Sequence, residues 1–437
     1  MQLDTNTRGL WRAFMPFFLS ICSVQLLLQT DLVMVSVLSE QATSAYAIPI
    51  RVAMVEMIVM VALGSVASVS ISKVREQGRA ATVAYHFLLI GAVCGLLMVP
   101  VGLIAYPQLA LWISGDAEVG ALAARALFWF ALAAPFRMTA HIAVMALHAR
   151  GDGAWVVRWR LIEVGVNAVL NGVLMFALDF GFEGCFIATL MVMMFSCVWS
   201  VSRLYRHVGI PSSLPSWDDA FAVLKNAGWE GKRMLSSQLF ALVGLMLFAS
   251  SWIAPVELAR LSAHSAGTAL AVFVFLPLLA LMRCLAFFLA PMTPQAIQHV
   301  LTGLFKWGVP LSVLAGVTLY LGGDSLGQWL YNQAEGARWW SALIVMVSLS
   351  LPLRYLNTLQ RGALQAHQKF STVAVIDTVS TWVIGLPLIV AGIYLDQPVL
   401  AFGYILLPEL LICLWLVRRM KGLVLSKETA RVGEAIP

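Results

Sequence analysis

Asp31 falls inside the first long apolar stretch of the chain, fifteen residues after Pro16, and Glu56, Glu163, Asn167 and Asn171 follow inside later apolar stretches. A bare charge at the centre of a bilayer costs about 3 kcal/mol on insertion scales, so side chains of this kind persist in hydrophobic helices mainly where they line an ion or substrate path. The chemistry to expect is reversible capture of a proton or small cation. Burial disfavours the charged form of a carboxyl group, so proton uptake at Asp31 can change how its helix packs. Pro16 removes one helical hydrogen bond and can bend that same helix. The alternative is that Asp31 only reaches an outer vestibule, since it lies seven residues from the outer end of its apolar stretch.

These residues share a level. Asn171 is seven residues from the outer end of the fifth apolar stretch and Glu56 eight from that of the second. At 1.5 Å of rise per residue, the three groups sit roughly 10–12 Å below the outer surface. Asn167 and Asn171 are spaced i, i+4 and fall on one helix face, which Glu163 extends by a further turn. Such a stripe is expected to face the protein interior. Arg137 and Glu163 lie at similar depths from the cytoplasmic ends of adjacent stretches and are expected to pair, as a structural or gating contact. Asp377 is expected near an interface, two turns inside its stretch.

The elements that position these groups are membrane helices. Hydrophobic residues make up 60% of the 437-residue chain and charged residues 11%, with a mean hydropathy of +0.86. Spanning the hydrocarbon takes about 20 apolar residues. Stretches of that kind fall at 13–38, 48–72, 84–106, 121–148, 154–178, 180–204, 232–256, 262–288, 301–322, 338–366, 371–394 and 397–420. The net charge of +6 comes from Arg and Lys concentrated at the N-terminus, the even-numbered loops and the C-terminus. By the positive-inside rule both termini are cytoplasmic, which needs an even number of spans. Basic charge therefore reads as topology, and no nucleic-acid partner is expected. The first span is read as an uncleaved helix.

The polar run 205–231 divides the spans into two sets of six. Pro135-Phe136-Arg137 recurs as Pro352-Leu353-Arg354 and Ala146-Leu147 as Ala363-Leu364, both at an offset of 217 residues. Equal orientation of the halves implies parallel repeats about an axis along the membrane normal. Chance matching in an apolar alphabet is the competing explanation, and a paired Pro-x-Arg weighs against it. The expected fold is all-α and integral to the membrane, with twelve transmembrane helices in two six-helix lobes related by a pseudo-two-fold axis. The expected domains are an N-terminal lobe (1–204), a cytoplasmic linker (205–231), a C-terminal lobe (232–420) and a cytoplasmic tail (421–437). By the same offset, Arg354 is the counterpart of Arg137, while Ser380 replaces the counterpart of Glu163. Arg354 is thus expected to need another partner or an anionic ligand.

Other readings are less specific. The six cysteines all fall inside apolar stretches without CxxC or zinc spacing, so no metal site is expected. No GxxxxGK(S/T) loop, nucleophile elbow or HExxH is present, so neither catalytic residues nor an ATP-binding module are expected. Met54, Met57 and Met60, with Trp112, Trp129, His86 and His141, suit either a cavity for varied hydrophobic cations or ordinary lipid-facing surface. Gly91 and Gly95 form a GxxxG pair suited to close helix packing.

The order of these features resembles the multidrug and toxic compound extrusion (MATE) transporters, in the superfamily that also holds polysaccharide and lipid flippases. The resemblance lies in QTDLVMVSVLSEQATSAYAIPIRV (29–52), in ALHARGDGAWVVRWRLIEVGVNAVLNGVLM (146–175) with GFEGCFIATL (181–190), and in QRGALQAHQKFSTVAVIDTVSTWVIGLPLIV (360–390). It implies an N-lobe cation site at Asp31 with Asn167, a helix bend at Pro16, and no cofactor beyond a coupling ion, H+ or Na+. The family's helix-five acid falls at Asn171, which cannot titrate. The implied protein is not an enzyme but an inner-membrane antiporter exporting hydrophobic or cationic small molecules, its partners being the bilayer and its substrate. The alternatives are a flippase for lipid-linked or amphipathic anionic substrates and, from another class, a membrane enzyme or receptor. A net acidic cavity would favour an organic cation and a net basic one an anionic head group.

Overall fold

The computed structural model describes residues 5–52, 54–74, 76–211, 217–255, 257–331 and 337–418. The expected tail 421–437, with Lys421, and also Arg419 lie outside the described residues. The described secondary structure is helical, with no strand among the described residues. The elements are α1 Thr5–Ser36, α2 Glu40–Val52, α3 Met54–Lys73, α4 Gln77–Ser114, α5 Ala117–Leu132, α6 Ala134–Ala149, α7 Gly153–Asn171, α8 Gly181–Val208, α9 Trp217–Ala249, α10 Leu258–Leu289, α11 Pro294–Tyr331, α12 Arg338–Ala366, α13 Phe370–Ser380, α14 Leu386–Tyr394 and α15 Pro398–Phe402. A last helix, α16, covers 407–418.

Eleven of these helical segments are long and apolar enough to cross a membrane, and twelve when α5 and α6 are taken as one span bent by 52°. They coincide with the twelve apolar stretches of the sequence, with two differences. The polar run expected as a linker over 205–231 is largely helical, because α8 continues to Val208 and α9 begins at Trp217. The fourth stretch is broken at Ala133, with Pro135 in the first turn of α6, a position where the missing N–H is harmless and the ring discourages continuation from the preceding helix. Pro352, at the matching place in the second half, lies inside the continuous α12.

By their contacts the residues group into two units, Trp11–Gly231 and the remainder from Lys232 together with the N-terminal ten. In the first unit a core of Val35, Ala45, Tyr46, Leu127, Met175 and Phe186 joins α1, α2, α5, the segment after α7, and α8. In the second, Phe248, Trp339, Trp340, Leu343 and Phe402 pack α9, α10, α12 and α15. Lipid tails are as apolar as leucine, so burial alone does not hold such helices together. Close packing of small residues and interhelical polar contacts do. Large side chains such as Ile104, Val169, Val198 and Leu321 accordingly remain exposed as the lipid-facing surface.

Gly91 and Gly95 show the packing directly. A Cβ at Gly91 would collide with Ile142 Cδ1, and one at Gly95 with the backbone of Pro135, so α4 and the start of α6 approach as closely as two backbones can. Gly95→Ala is therefore expected to destabilise the protein by about 1–3 kcal/mol through overpacking. Gly165→Ala, where a Cβ meets nothing within 4 Å, should be neutral or stabilising. Thermal unfolding of both purified variants in one detergent measures the difference.

Candidate functional site

α7 is built inside out. Its buried residues are Gly153, Val156, Arg160, Glu163, Asn167 and Asn171, a helical stripe that is largely polar or charged. The opposite face exposes Leu161, Ile162, Val166 and Val169. An α-helix places residues three and four apart on one face, so this pattern presents polar groups to the protein and aliphatic ones to lipid. A π-helical turn, Gly172–Ala177, follows Asn171 directly.

Asp31, near the end of α1, is received by that stripe. Asn167 Nδ2 and Asn171 Nδ2 donate to Asp31 Oδ1 at 2.5 and 2.7 Å. Tyr46, from α2, places its hydroxyl 3.5 Å from Asp31 Oδ2. Asp31 is 3% exposed and both asparagines are fully buried. The hydrogen-bonding partners of this carboxyl group among the described residues are uncharged. The amide oxygens of Asn167 and Asn171 are buried without a hydrogen-bond partner among the described residues. An ionised carboxyl in this place is a net charge in a low-dielectric interior, which costs several kcal/mol unless neutralised. A proton neutralises it. So does a small hard cation, for which carboxylate and amide oxygens are suitable ligands.

Several other buried acids are treated differently. Glu56 takes Arg137, with the guanidinium 2.6 Å away and lying over Phe130. Glu163 takes Arg160 at 2.6 Å and the indole N–H of Trp159 at 2.7 Å. The expected pairing of Arg137 with Glu163 is thus replaced by two separate pairs, because Arg160 sits one turn before Glu163 on the same helix and Glu56 faces Arg137 from α3. Asp152 receives Arg203 at 2.7 Å. Pro16 lies within the continuous α1. A Cβ added to Gly153 would come 2.9 Å from His148 and 3.1 Å from Pro16, so α1 packs closely on the start of α7.

The second unit holds a different constellation. Arg354, expected to need another partner or an anionic ligand, lies 3.3 Å from Glu409 and over the ring of Phe275. Glu409 also accepts from Asn357 at 2.6 Å and faces Arg361 at 3.4 Å. Asp377, expected near an interface, has Arg361 at 2.9 Å and Arg233 at 3.6 Å. These groups line a cavity of about 500 Å³ within this unit, together with Phe240, His264, Met282 and Tyr404.

Of the residues read as either cavity lining or lipid-facing surface, Trp112 is 82% exposed at the end of α4. Trp129 donates to Glu183 at 3.2 Å. Sequence reasoning does not single out Tyr46, Arg160, Asn357, Arg361 or Glu409. Arg160 is within its reach through the i, i+3 spacing from Glu163. Glu409 is within its reach by the rule that draws notice to Asp31, an acid inside an apolar span.

The described helices amount to eleven or twelve apolar spans and bury an amide-held carboxyl group. The MatE family profile matches residues 16–173. The fold of nearly the whole chain is that of the Vibrio cholerae MATE transporter VcmN in its bent form, with a TM-score of 0.86 at 16% identity over 97% of this chain and 98% of that one. A MOP-superfamily transporter from Pyrococcus furiosus, described as having a binding pocket of reverse polarity, aligns with a TM-score of 0.80 at 15% identity over 96% of this chain and 97% of that one. A MATE protein in the straight conformation aligns with a TM-score of 0.80 at 17% identity over the same shares. No curated protein matches the sequence. The profile match lies within the first half of the chain, and the solved structures extend the likeness of fold to nearly all of it.

The ion pairs make a prediction of their own. Removing one partner of a buried pair strands the other charge, so Glu56→Gln is expected to cost about 3–5 kcal/mol of stability. Glu56→Gln combined with Arg137→Met should recover most of that loss. Thermal unfolding of the single and double variants checks it, and equal losses in both would show that the pair is not the source.

Proposed function

We propose that this protein is an ion-coupled antiporter, exporting hydrophobic small molecules by alternating access and driven by proton or sodium entry at Asp31. The observation that carries the reading is the treatment of one carboxyl group. Glu56, Glu163, Asp152, Asp377 and Glu409 each face an arginine, whereas Asp31 is held by two amides and a phenol. A carboxyl group without a fixed counter-charge is free to exchange one that arrives from solution. Asn167 and Asn171 orient it, and their amide oxygens supply further ligands for a bound cation.

Pro16 serves as the bending point of α1, the helix that carries Asp31. Occupation of Asp31 removes the buried charge and so favours a helix packing that the charged form opposes, which couples ion entry to conformation. Asn171 stands where the family resemblance implies an acid, so this site would carry one titratable carboxyl group. The inner membrane, with both termini cytoplasmic, is the location that the distribution of Lys and Arg supports. A flippase for lipid-linked substrates draws less support, because the family profile and the similar solved structures are those of MATE proteins. The cationic part of the expected substrate range draws none from the second unit's cavity, which three arginines and two carboxylates line.

Asp31→Asn is expected to abolish gradient-driven transport in proteoliposomes while leaving expression and thermal stability close to wild type, since shape and hydrogen-bonding capacity are nearly kept. Uptake of a hydrophobic dye under imposed proton and sodium gradients measures this. Wild-type rates in well-folded Asp31→Asn protein would move the coupling site elsewhere.

A further inference from the structure

The cavity of the second unit is a site in its own right. Its charged lining is Arg233, Arg354, Arg361, Asp377 and Glu409, three guanidinium groups against two carboxylates. Arg361 meets both acids, through Nε and Nη2 to Asp377 and through Nη2 to Glu409, and none of its nitrogens is buried without a partner among the described residues. Arg354 differs. Its Nη1 faces Glu409 at 3.3 Å, its Nη2 makes a long contact of 3.4 Å to the carbonyl of Ile405, and its Nε is buried with no partner among the described residues. An arginine N–H can only donate, so what completes it must be an acceptor. His264, also in the lining and 5% exposed, leaves its Nδ1 without a partner in the same way.

The remaining walls are apolar. Phe240, Phe275, Leu279, Met282, Leu343 and Ile389 contribute to the lining, and Phe275 lies beneath the Arg354 guanidinium, 4.1 Å from ring centroid to Cζ. Stacking on an aromatic face fixes the plane of the guanidinium, and a fixed planar fork is the arrangement that recognises a carboxylate. A space of about 500 Å³ is in the range that encloses one small organic molecule.

We propose that this cavity binds an amphipathic organic monocarboxylate, its carboxylate on Arg354 and its apolar body against the Phe240, Met282 and Leu343 wall. One added carboxylate brings the lining to three charges of each sign and gives the Arg354 Nε its acceptor. The substrate range of the proposed transporter then includes organic anions, and to that extent the inference rests on the transport reading. The binding itself needs no gradient. It can be tested apart from coupling.

The test uses full-length purified protein in detergent and three probes of one shape: 1-naphthoate, 1-naphthalenemethanol and 1-naphthylmethylammonium, with affinity measured by calorimetry. The expected order is naphthoate tightest and the ammonium weakest. Arg354→Gln should weaken naphthoate by about tenfold or more, the scale of a lost charged hydrogen bond, and leave the neutral alcohol unchanged. Arg354→Lys, which keeps the charge and the pairing with Glu409 but loses the fork, should fall between and guards against a folding defect in the first variant. Tighter binding of the ammonium, or equal naphthoate affinity in wild type and both variants, would overturn the proposal. Neither result bears on gradient-driven transport through Asp31, which is read in proteoliposomes with an uncharged substrate. Failure of the coupling reading would in turn leave the order of the three affinities intact.

Discussion

The contact on which the site depends is that of one carboxyl group with two amides. Asn167 and Asn171 each spend an N–H on the same oxygen of Asp31, which orients the carboxyl group without supplying a counter-charge. An arginine at that place would cancel it permanently. The first unit has arginines for this purpose and uses them elsewhere, on Glu56 and Glu163. Around Asp31 the described hydrogen-bond donors are neutral, and α7 provides two of them by turning its polar stripe inward and Leu161, Ile162, Val166 and Val169 outward. The π-helical turn after Asn171 marks a local departure from regular helix next to the site, of the sort that recurs at functional positions.

The two units handle buried charge in opposite ways. In the first, Glu56 and Glu163 close into separate pairs with arginine, leaving Asp31 as a carboxyl group among amides. In the second, Glu409 is shared by Arg354, Arg361 and Asn357, and Asp377 by Arg361 and Arg233. A shared lattice is harder to break with a single proton, because each charge keeps a second partner when one is lost. It also leaves donors over when basic groups outnumber acidic ones. On the proposed reading, chemistry that depends on one titration belongs with Asp31, and chemistry that depends on a fixed field with the arginines of the second unit.

Much of this architecture is legible in the order of residues alone. Apolar length marks each span because a bilayer demands internally satisfied backbone, and only helix length has to be right. The Asn167–Asn171 spacing announces a shared face for the same reason, since helical geometry alone decides it. What the sequence leaves open is partner choice. Arg137 has Glu163 and Glu56 within comparable reach, and depth along a helix says nothing about azimuth. The fold selects Glu56, and the nearer Arg160 takes Glu163. Arg354 reads as unpaired because the repeat position holds Ser380, while Glu409 comes from the last span, outside the repeated motif.

That divergence between the halves bears on how a duplicated fold acquires two kinds of site. Pro135 begins a new helix after a 52° bend, whereas Pro352 is absorbed within α12. The arginines two residues further on remain alike in one respect, for each lies over a phenylalanine ring, Phe130 or Phe275. Each also faces one glutamate, but from a helix that has no counterpart role in the other half, α3 for Glu56 and α16 for Glu409. The retained element is the stacked guanidinium, and the element that changed is the acid that meets it. Each guanidinium also keeps one nitrogen without a partner among the described residues, Nη1 of Arg137 and Nε of Arg354, so the span that supplies the acid does not by itself decide how many donors stay free, and Arg354 is distinguished by the cavity that it lines.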